Sequence, residues 1–396
     1  MIKLFSKRTD NKRMKILFIQ WESIGRADLE DAFIQEGHCL IYAPVSIEKQ
    51  TYQELPEVER RLTEVIYSKK PDIVFTVNYY PAISNFCNRQ KIRYVSWIYD
   101  SPFRRIYSQT VVNPCNIIYV FDKELYLEFH NAGISTVHYL PMAANTERLD
   151  SIQAGPDFSY DVSFVGSLYL EMDQPFTKMS DALPDYAKGY LDGLVAAQMR
   201  IQGYDFMEEV LGPIIHDLCK AYPMMREIGS IESEEYFYAQ HVINRWITTV
   251  ERIDLLDAVG GSYGGVDFFT YCKDFTLPNL RNHGSVSYEK EMPLVFKQSK
   301  INLNISRRGM KGGVPLRAFD IMGCGGFLLS NFQSGFLDMF IPGEDFVYYE
   351  SKEDLLQKIG YYLSHEEERK AIAKSGHNKV AKEHTYRHRI KEMLDF

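Results

Sequence analysis

From Lys15 to Leu140, short unbroken apolar runs alternate with amphipathic stretches. The runs Lys15-Ile-Leu-Phe-Ile-Gln20, Cys39–Tyr42, Asp72–Val77, Arg93–Ile98, Ile117–Phe121 and Val137–Leu140 have the length and continuous hydrophobicity of strands covered on both faces. Between them, Arg26–Glu36, Pro56–Ser68, Pro81–Arg89 and a stretch from Lys123 read as helices. In the first of these Leu29, Ala32 and Phe33 share one face and Gly37 ends the pattern. Repeated β–α alternation predicts a parallel, doubly wound sheet.

The rhythm then breaks. Asn145–Phe158 is polar, contains Gly155 and Pro156, and reads as a linker that divides the chain into residues 1–150 and 151–396. Asp161–Val165 opens a second α/β unit. Residues from about 170 to 258 show no strand pattern but several helical stretches, such as Tyr190–Arg200 and Ser233–Val250, and so predict a helical insertion. Strands return at Val266–Tyr271, Gly284–Val286, Ile301–Ile305, Phe327–Leu329 and Phe346–Tyr349, and Lys352–Leu363 and Glu366–Glu383 are helical. Gly260-Gly261 and Gly264-Gly265 read as a tight turn before a strand. The fold class is therefore α/β, with two tandem Rossmann-like domains whose sheets face a common cleft at their carboxyl ends.

One junction carries more than structure. In Gly312-Gly-Val-Pro-Leu-Arg-Ala-Phe-Asp-Ile-Met-Gly-Cys-Gly-Gly-Phe-Leu-Leu329 a helix opens after glycines, with Pro315 in its first turn, and stops at Gly325-Gly326 before an apolar strand. Free N–H groups and the positive dipole end at such a helix start suit a phosphate. Asp320 lies further in, where a carboxylate reaches a sugar hydroxyl attached to that phosphate. The same spacing also fits an ordinary helix–turn–strand with Asp320 on a solvated face.

Pro315 to Asn331, with Ile341-Pro-Gly-Glu344 and Glu383-His-Thr-Tyr386, resembles the C-terminal domain of GT-B glycosyltransferases, and most of all the group related to the spore maturation protein CgeB. Tyr94-Val-Ser-Trp-Ile-Tyr-Asp-Ser-Pro102, Tyr139-Leu-Pro-Met-Ala-Ala-Asn145, Asp161-Val-Ser-Phe-Val-Gly-Ser167 and Ile301-Asn-Leu-Asn-Ile-Ser306 extend the similarity over most of the chain. The resemblance implies the GT-B fold and transfer of a sugar from a nucleotide-diphosphate sugar bound in the C-terminal domain. Asp320 then falls where related retaining enzymes carry the second glutamate of a Glu-x7-Glu motif, which holds the nucleotide ribose. The first glutamate would fall at Gly312 and is missing, so sugar contacts and retaining stereochemistry do not carry over simply.

On this reading Gly312 and Gly313 offer N–H groups to the diphosphate, and Ser306, Arg307, Arg308, Lys311 and Arg317 cluster around them. Arginine forks suit phosphate oxygens, and a transferase without a metal needs such cations to stabilise the departing diphosphate. Gly166 and Ser167 end a strand on the cleft side. In the first domain Tyr99 and Asp100 end the strand Arg93–Ile98. There Asp100 is placed either to take a proton from an acceptor hydroxyl or to cap an Asp-Ser-Pro turn. Glu22 after the first strand, and Asn78, Tyr79 and Tyr80 after the third, are acceptor-side candidates.

Composition narrows the partners. The net charge of −8 argues against non-specific nucleic-acid binding, which rests on a basic surface. No apolar run reaches the ~18 residues of a membrane helix. Met1–Arg13 is basic without an apolar core, which reads as a disordered lead-in making at most a peripheral membrane contact, and not as a signal peptide. Six scattered cysteines without a CxxC pair read as free thiols in a reducing cytoplasm. No Asp-x-Asp motif is present. His384 and His388, flanked by Arg387 and Arg389, make a poor cation site, so no metal or other cofactor is expected.

The expected partners are a nucleotide sugar and a glycan, protein or lipid-linked acceptor. Two other readings share this architecture: a tandem-Rossmann nucleotide-sugar epimerase, and a nucleotide-sugar-binding protein that has lost catalysis. A dehydrogenase is disfavoured, because no G-x-G-x-x-G follows Lys15–Gln20.

Overall fold

The apolar runs form two six-stranded sheets, all parallel, in a computed structural model that describes residues 13–19, 23–43, 55–170 and 174–395. The first sheet has the order β2-β1-β3-β4-β5-β6, with β1 Lys15–Phe18, β2 Cys39–Tyr42, β3 Ile73–Val77, β4 Arg93–Ile98, β5 Asn116–Val120 and β6 Val137–Tyr139. The second has the order β12-β11-β10-β7-β8-β9, with β7 Tyr160–Val165, β8 Val266–Phe269, β9 Leu280–Asn282, β10 Ser299–Asn304, β11 Leu328–Asn331 and β12 Val347–Tyr349. β3 and most of β4 are buried throughout, as helices on both faces require. One apolar cluster runs across both domains and joins Phe75 and Trp97 of the first to Phe319 and Met322 of the second.

Within the linker Thr146–Ser151 is a helix, capped by Asn145, whose Oδ1 accepts the Arg148 N–H at 3.1 Å. Local expectations fail in two places. Gly260-Gly261 is not a turn. It lies inside the helix Asn244–Tyr263, and a Cβ on Gly260 would meet the Asn279 carbonyl oxygen at 2.7 Å; the chain reverses instead at Gly264, with φ 73°. The strand expected at Gly284–Val286 lies earlier, at β9. Leu280 pairs with Val266, and the Asn282 amide ties off the strand end by donating to the Cys272 and Phe275 carbonyls.

The helical insertion has its own core, including Met179, Leu191, Leu218 and Ile247. It grips the first domain where Glu232, buried, takes a forked pair of hydrogen bonds from Arg104 at 2.8–3.0 Å. The helix Asn244–Tyr263 then leaves the insertion and buries Leu255, Leu256 and Val259 against the second sheet. The last helix, Tyr386–Met393, crosses back to the first domain. Tyr119 Oη donates to the Met393 carbonyl at 2.9 Å, and Arg389 donates to the Pro141 and Met142 carbonyls.

Candidate functional site

The carboxyl ends of the two sheets meet at a cleft of about 250 Å³. On the first-domain side β4 gives way to Tyr99 and Asp100. Asn78, held at φ 61°, accepts the Tyr99 N–H at Oδ1 and donates Nδ2–H to Asp100 Oδ2, each at 2.8 Å. Asn78 thus fixes the carboxylate at the mouth of the cleft. Asp100 is exposed there, yet the surrounding walls withdraw enough water to raise its pKa, against the opposing pull of Asn78 and Arg307.

On the second-domain side β7 runs into Gly166 and Ser167. Ser167 Oγ accepts the Tyr169 N–H at 2.9 Å, and Tyr169 takes the left-handed conformation, φ 55°. Three guanidinium groups surround the Tyr169 ring: Arg252 at 5.1 Å, Arg245 at 5.6 Å and Arg307 at 5.7 Å from its centroid. Arg252 is anchored, donating to the Ile305 and Ser167 carbonyls. Arg307 is less fully committed: Nη2 donates to the Gln240 carbonyl at 3.4 Å, and its buried Nε has no hydrogen-bond partner. Burial lowers its pKa, opposed by Tyr169 and Asp100. Two of these like charges, Arg252 and Arg307, line the cleft, and an anion beside them would relieve their repulsion.

Pro315, Leu316 and Arg317, at the start of the helix Leu316–Gly323, line the same cleft. Asp320 does not line it. It is 2% exposed, accepts the Tyr288 hydroxyl at Oδ1 (2.8 Å), and leaves Oδ2 without a hydrogen bond, 3.9 Å from Arg317 Nη1. Burial pushes its carboxyl up to about 6; Arg317, Tyr288 and Arg148 pull it down and Asp28 adds to the rise.

The cleft thus gathers Tyr99, Asp100, Gly166, Ser167, Ser306 and Arg317. Ser306 is buried in its wall, with its N–H on Asn331 Oδ1 at 2.8 Å. Gly312 and Gly313 lie at a contact between domains: the Gly312 N–H, expected to meet phosphate, goes to Asp122 of the first domain at 3.1 Å, beside the Lys311 N–H at 2.9 Å. A Cβ on Gly313 would stand 2.8 Å from the Phe121 ring.

Arg308 points elsewhere. Its Nε and Nη2 form a bidentate pair with Glu251 at 2.9 and 2.7 Å, fastening the helix Asn244–Tyr263 to the sheet. Tyr79 is also outside the cleft, fully buried, stacked on Tyr94 and bonded to Thr110 at 2.6 Å. Glu22 lies outside the described residues.

Sequence reasoning missed Arg245, Arg252 and Tyr169. The first two are seven apart on a long amphipathic helix, hence on one face, and that spacing was the available signal. Among the described residues no group of three or more His, Cys, Asp or Glu would seat a metal ion, and no helix is long and apolar enough to cross a membrane.

Residues 244–395 match the family model described as glycosyl transferase-like. No curated protein matches the chain by sequence. Solved structures resemble it over nearly its whole length. A glycosyltransferase from Rickettsia africae ESF-5 is 11% identical, with a TM-score of 0.52 over 97% of each chain. Anabaena HepE, in complex with UDP and glucose, is 10% identical, with a TM-score of 0.54 over 96% of this chain and 99% of that one. An E. coli trehalose-6-phosphate protein bound with UDP-2-fluoro glucose gives the same identity, TM-score and coverage. The architecture is that of the GT-B glycosyltransferases: two Rossmann-like domains facing one cleft.

Proposed function

We propose that the protein is a glycosyltransferase that moves a sugar from a nucleotide-diphosphate sugar to a glycan, protein or lipid-linked acceptor, without a metal ion. The observation that carries this reading is Arg252 and Arg307, which line the cleft beside Tyr169 together with Asp100 of the first domain. As the glycosidic bond breaks, charge gathers on the leaving diphosphate. Cations already in place in a partly desolvated cleft stabilise that charge more than the ground state, with the helix start at Leu316 adding its dipole. Asp100, held by Asn78, would take the proton of the acceptor hydroxyl.

The UDP–sugar complexes of the structural neighbours support a nucleotide-sugar donor, and the motifs Tyr94–Pro102 and Pro315–Asn331 support the CgeB-like group. Six free cysteines, three of them buried, fit a reducing compartment, the cytoplasm.

The test is incubation with a panel of UDP-, GDP- and dTDP-sugars in EDTA, following release of nucleoside diphosphate with and without glycan acceptors. Release that needs no divalent ion is expected. Absence of both release and binding across the panel would sink the reading. A second reading, a donor-binding protein without catalysis, is favoured by Gly312 standing where the first glutamate of the Glu-x7-Glu motif would fall. It predicts saturable binding with no release.

A further inference from the structure

The second domain holds another cavity, of about 260 Å³, at the opposite edge of its sheet from the cleft. It opens where β7 and β10 begin, beside Phe158, Ser299 and Phe327. Five fixed cations line it: Lys297, Lys300, Arg369, Lys370 and Lys374. Lys300 pairs with Asp161 at 2.6 Å and Lys370 with Glu366 at 2.5 Å, whereas Lys297 and Lys374 make no ion pair among the described residues. His377, also in the wall, lies 3.5 Å from Asp150. Such a concentration of positive charge stands against the chain's net charge of −8.

Arg369 is the second, independent observation. Its side chain is only 2% exposed and its guanidinium lies over the Phe158 ring at 5.4 Å. Nη1 donates to the Tyr362 carbonyl at 2.6 Å, but Nη2 is buried with no partner. A buried cation with an unused donor is destabilising unless something satisfies it; Glu366 and Asp161 act on this one only through space, and among the described residues no carboxylate hydrogen-bonds it. The apolar floor of Phe158 and Phe327 would strengthen any charge-assisted hydrogen bond made there.

We propose that this cavity is an anion site, separate from the cleft, that binds a phosphate group. Arg369 offers its unused Nη2–H from the floor, and Lys297 and Lys374 close on the remaining oxygens. The phosphate is that of a small soluble phosphomonoester or of a lipid headgroup, which share the chemistry recognised.

The experiment uses the full chain, with its cleft saturated by a nucleoside diphosphate that the activity panel has shown to bind; if none binds, the Arg307→Gln variant is used instead. Inorganic phosphate is titrated by calorimetry, and phosphatidylcholine vesicles with and without phosphatidic acid are tested by co-sedimentation. Wild type is expected to bind one of these probes, and Lys297→Glu/Lys374→Glu, at one half-buried and one exposed position outside the core, to bind it at least 10-fold more weakly. Saturation by free phosphate identifies a soluble ligand; binding only to phosphatidic acid vesicles identifies a headgroup. Failure of both probes to bind wild type, or equal binding by the double variant with an unchanged melting temperature, overturns the proposal. The result is independent of whether the cleft transfers sugar.

Discussion

Asp122, just past the end of β5, places its carboxylate 3.1 Å from the Gly312 N–H, so an acid of one domain fills the anion cradle of the other. It also receives the Lys311 N–H at 2.9 Å and the Ser101 hydroxyl at 3.1 Å. Of these donors, the Gly312 amide is one that the sequence marks for phosphate. The contact locks the domains together, and a phosphate at that amide would have to displace it.

Replacing that acid separates the two roles. Asp122→Ala leaves two amides unpaired at a buried contact, and should lower stability by about 1–3 kcal/mol in urea denaturation. It should also tighten nucleoside diphosphate binding, because the freed N–H groups become available. Weaker binding would show that the carboxylate shapes the site and does not compete for it.

Arg307 is the least committed of the arginines around Tyr169, so its removal should act mainly on the ligand. Arg307→Gln is expected to raise the Kd of a nucleoside diphosphate in EDTA by about 10–100-fold, equivalent to roughly 1.5–3 kcal/mol, with little change for the free nucleoside. Calorimetry in the presence and absence of Mg²⁺ checks both halves. A requirement for the metal would remove the arginines from their assigned role.

Asp320 ties stability to pH with a definite sign. Its folded pKa of about 6 lies above the ordinary value of 3.8, so the folded state holds the proton more tightly. The stabilisation is present below pH 4 and is lost as pH rises to about 6. Above that, the ionised buried carboxylate costs about 3 kcal/mol. Asp320→Asn keeps the acceptor for Tyr288 and should melt higher than wild type at pH 8 but equally at pH 4. If Asp320 holds the ribose, the same variant should bind nucleotide more weakly, by about 1–3 kcal/mol. Unchanged affinity would leave it a structural residue.

Asp100 must be ionised to act as a base. Desolvation by the cleft walls places its pKa above the ordinary carboxylate value, so activity should fall on the acid side as pH drops through that raised pKa. Asp100→Asn should reduce kcat by about 10²–10⁴ with donor affinity nearly unchanged. Asn78→Ala removes a hydrogen bond that favours the charged form, and should move the acid limb to still higher pH. Near wild-type turnover in the asparagine variant would leave Asp100 as a cap of the turn.

The sheets were legible because most strands are short, largely apolar runs: β3, β4 and β10 fall within a residue or two of their sequence limits. The helix Leu316–Gly323 was legible from its proline and glycines, with Gly325 at φ 74° just past its end. Pair-specific contacts were not. Nothing local marks Arg308 as the partner of Glu251, because that choice depends on how the insertion docks, and the same residue type beside it, Arg307, is the one left facing the cleft. Tyr79 ends a strand like Asn78 does, but the strand's period of two sends neighbours to opposite faces, so one enters the core and the other holds Asp100.

The return of the helix Tyr386–Met393 has a consequence for how the protein is made. The first domain lacks part of its cover until that helix arrives, since Arg389 and the Met393 carbonyl close over Met142 and Tyr119. About 250 residues separate β6 from this helix. At about 5–20 residues per second, a ribosome needs about 12–50 s to supply them. During that interval the nascent first sheet presents an apolar flank that only the end of its own chain can cover.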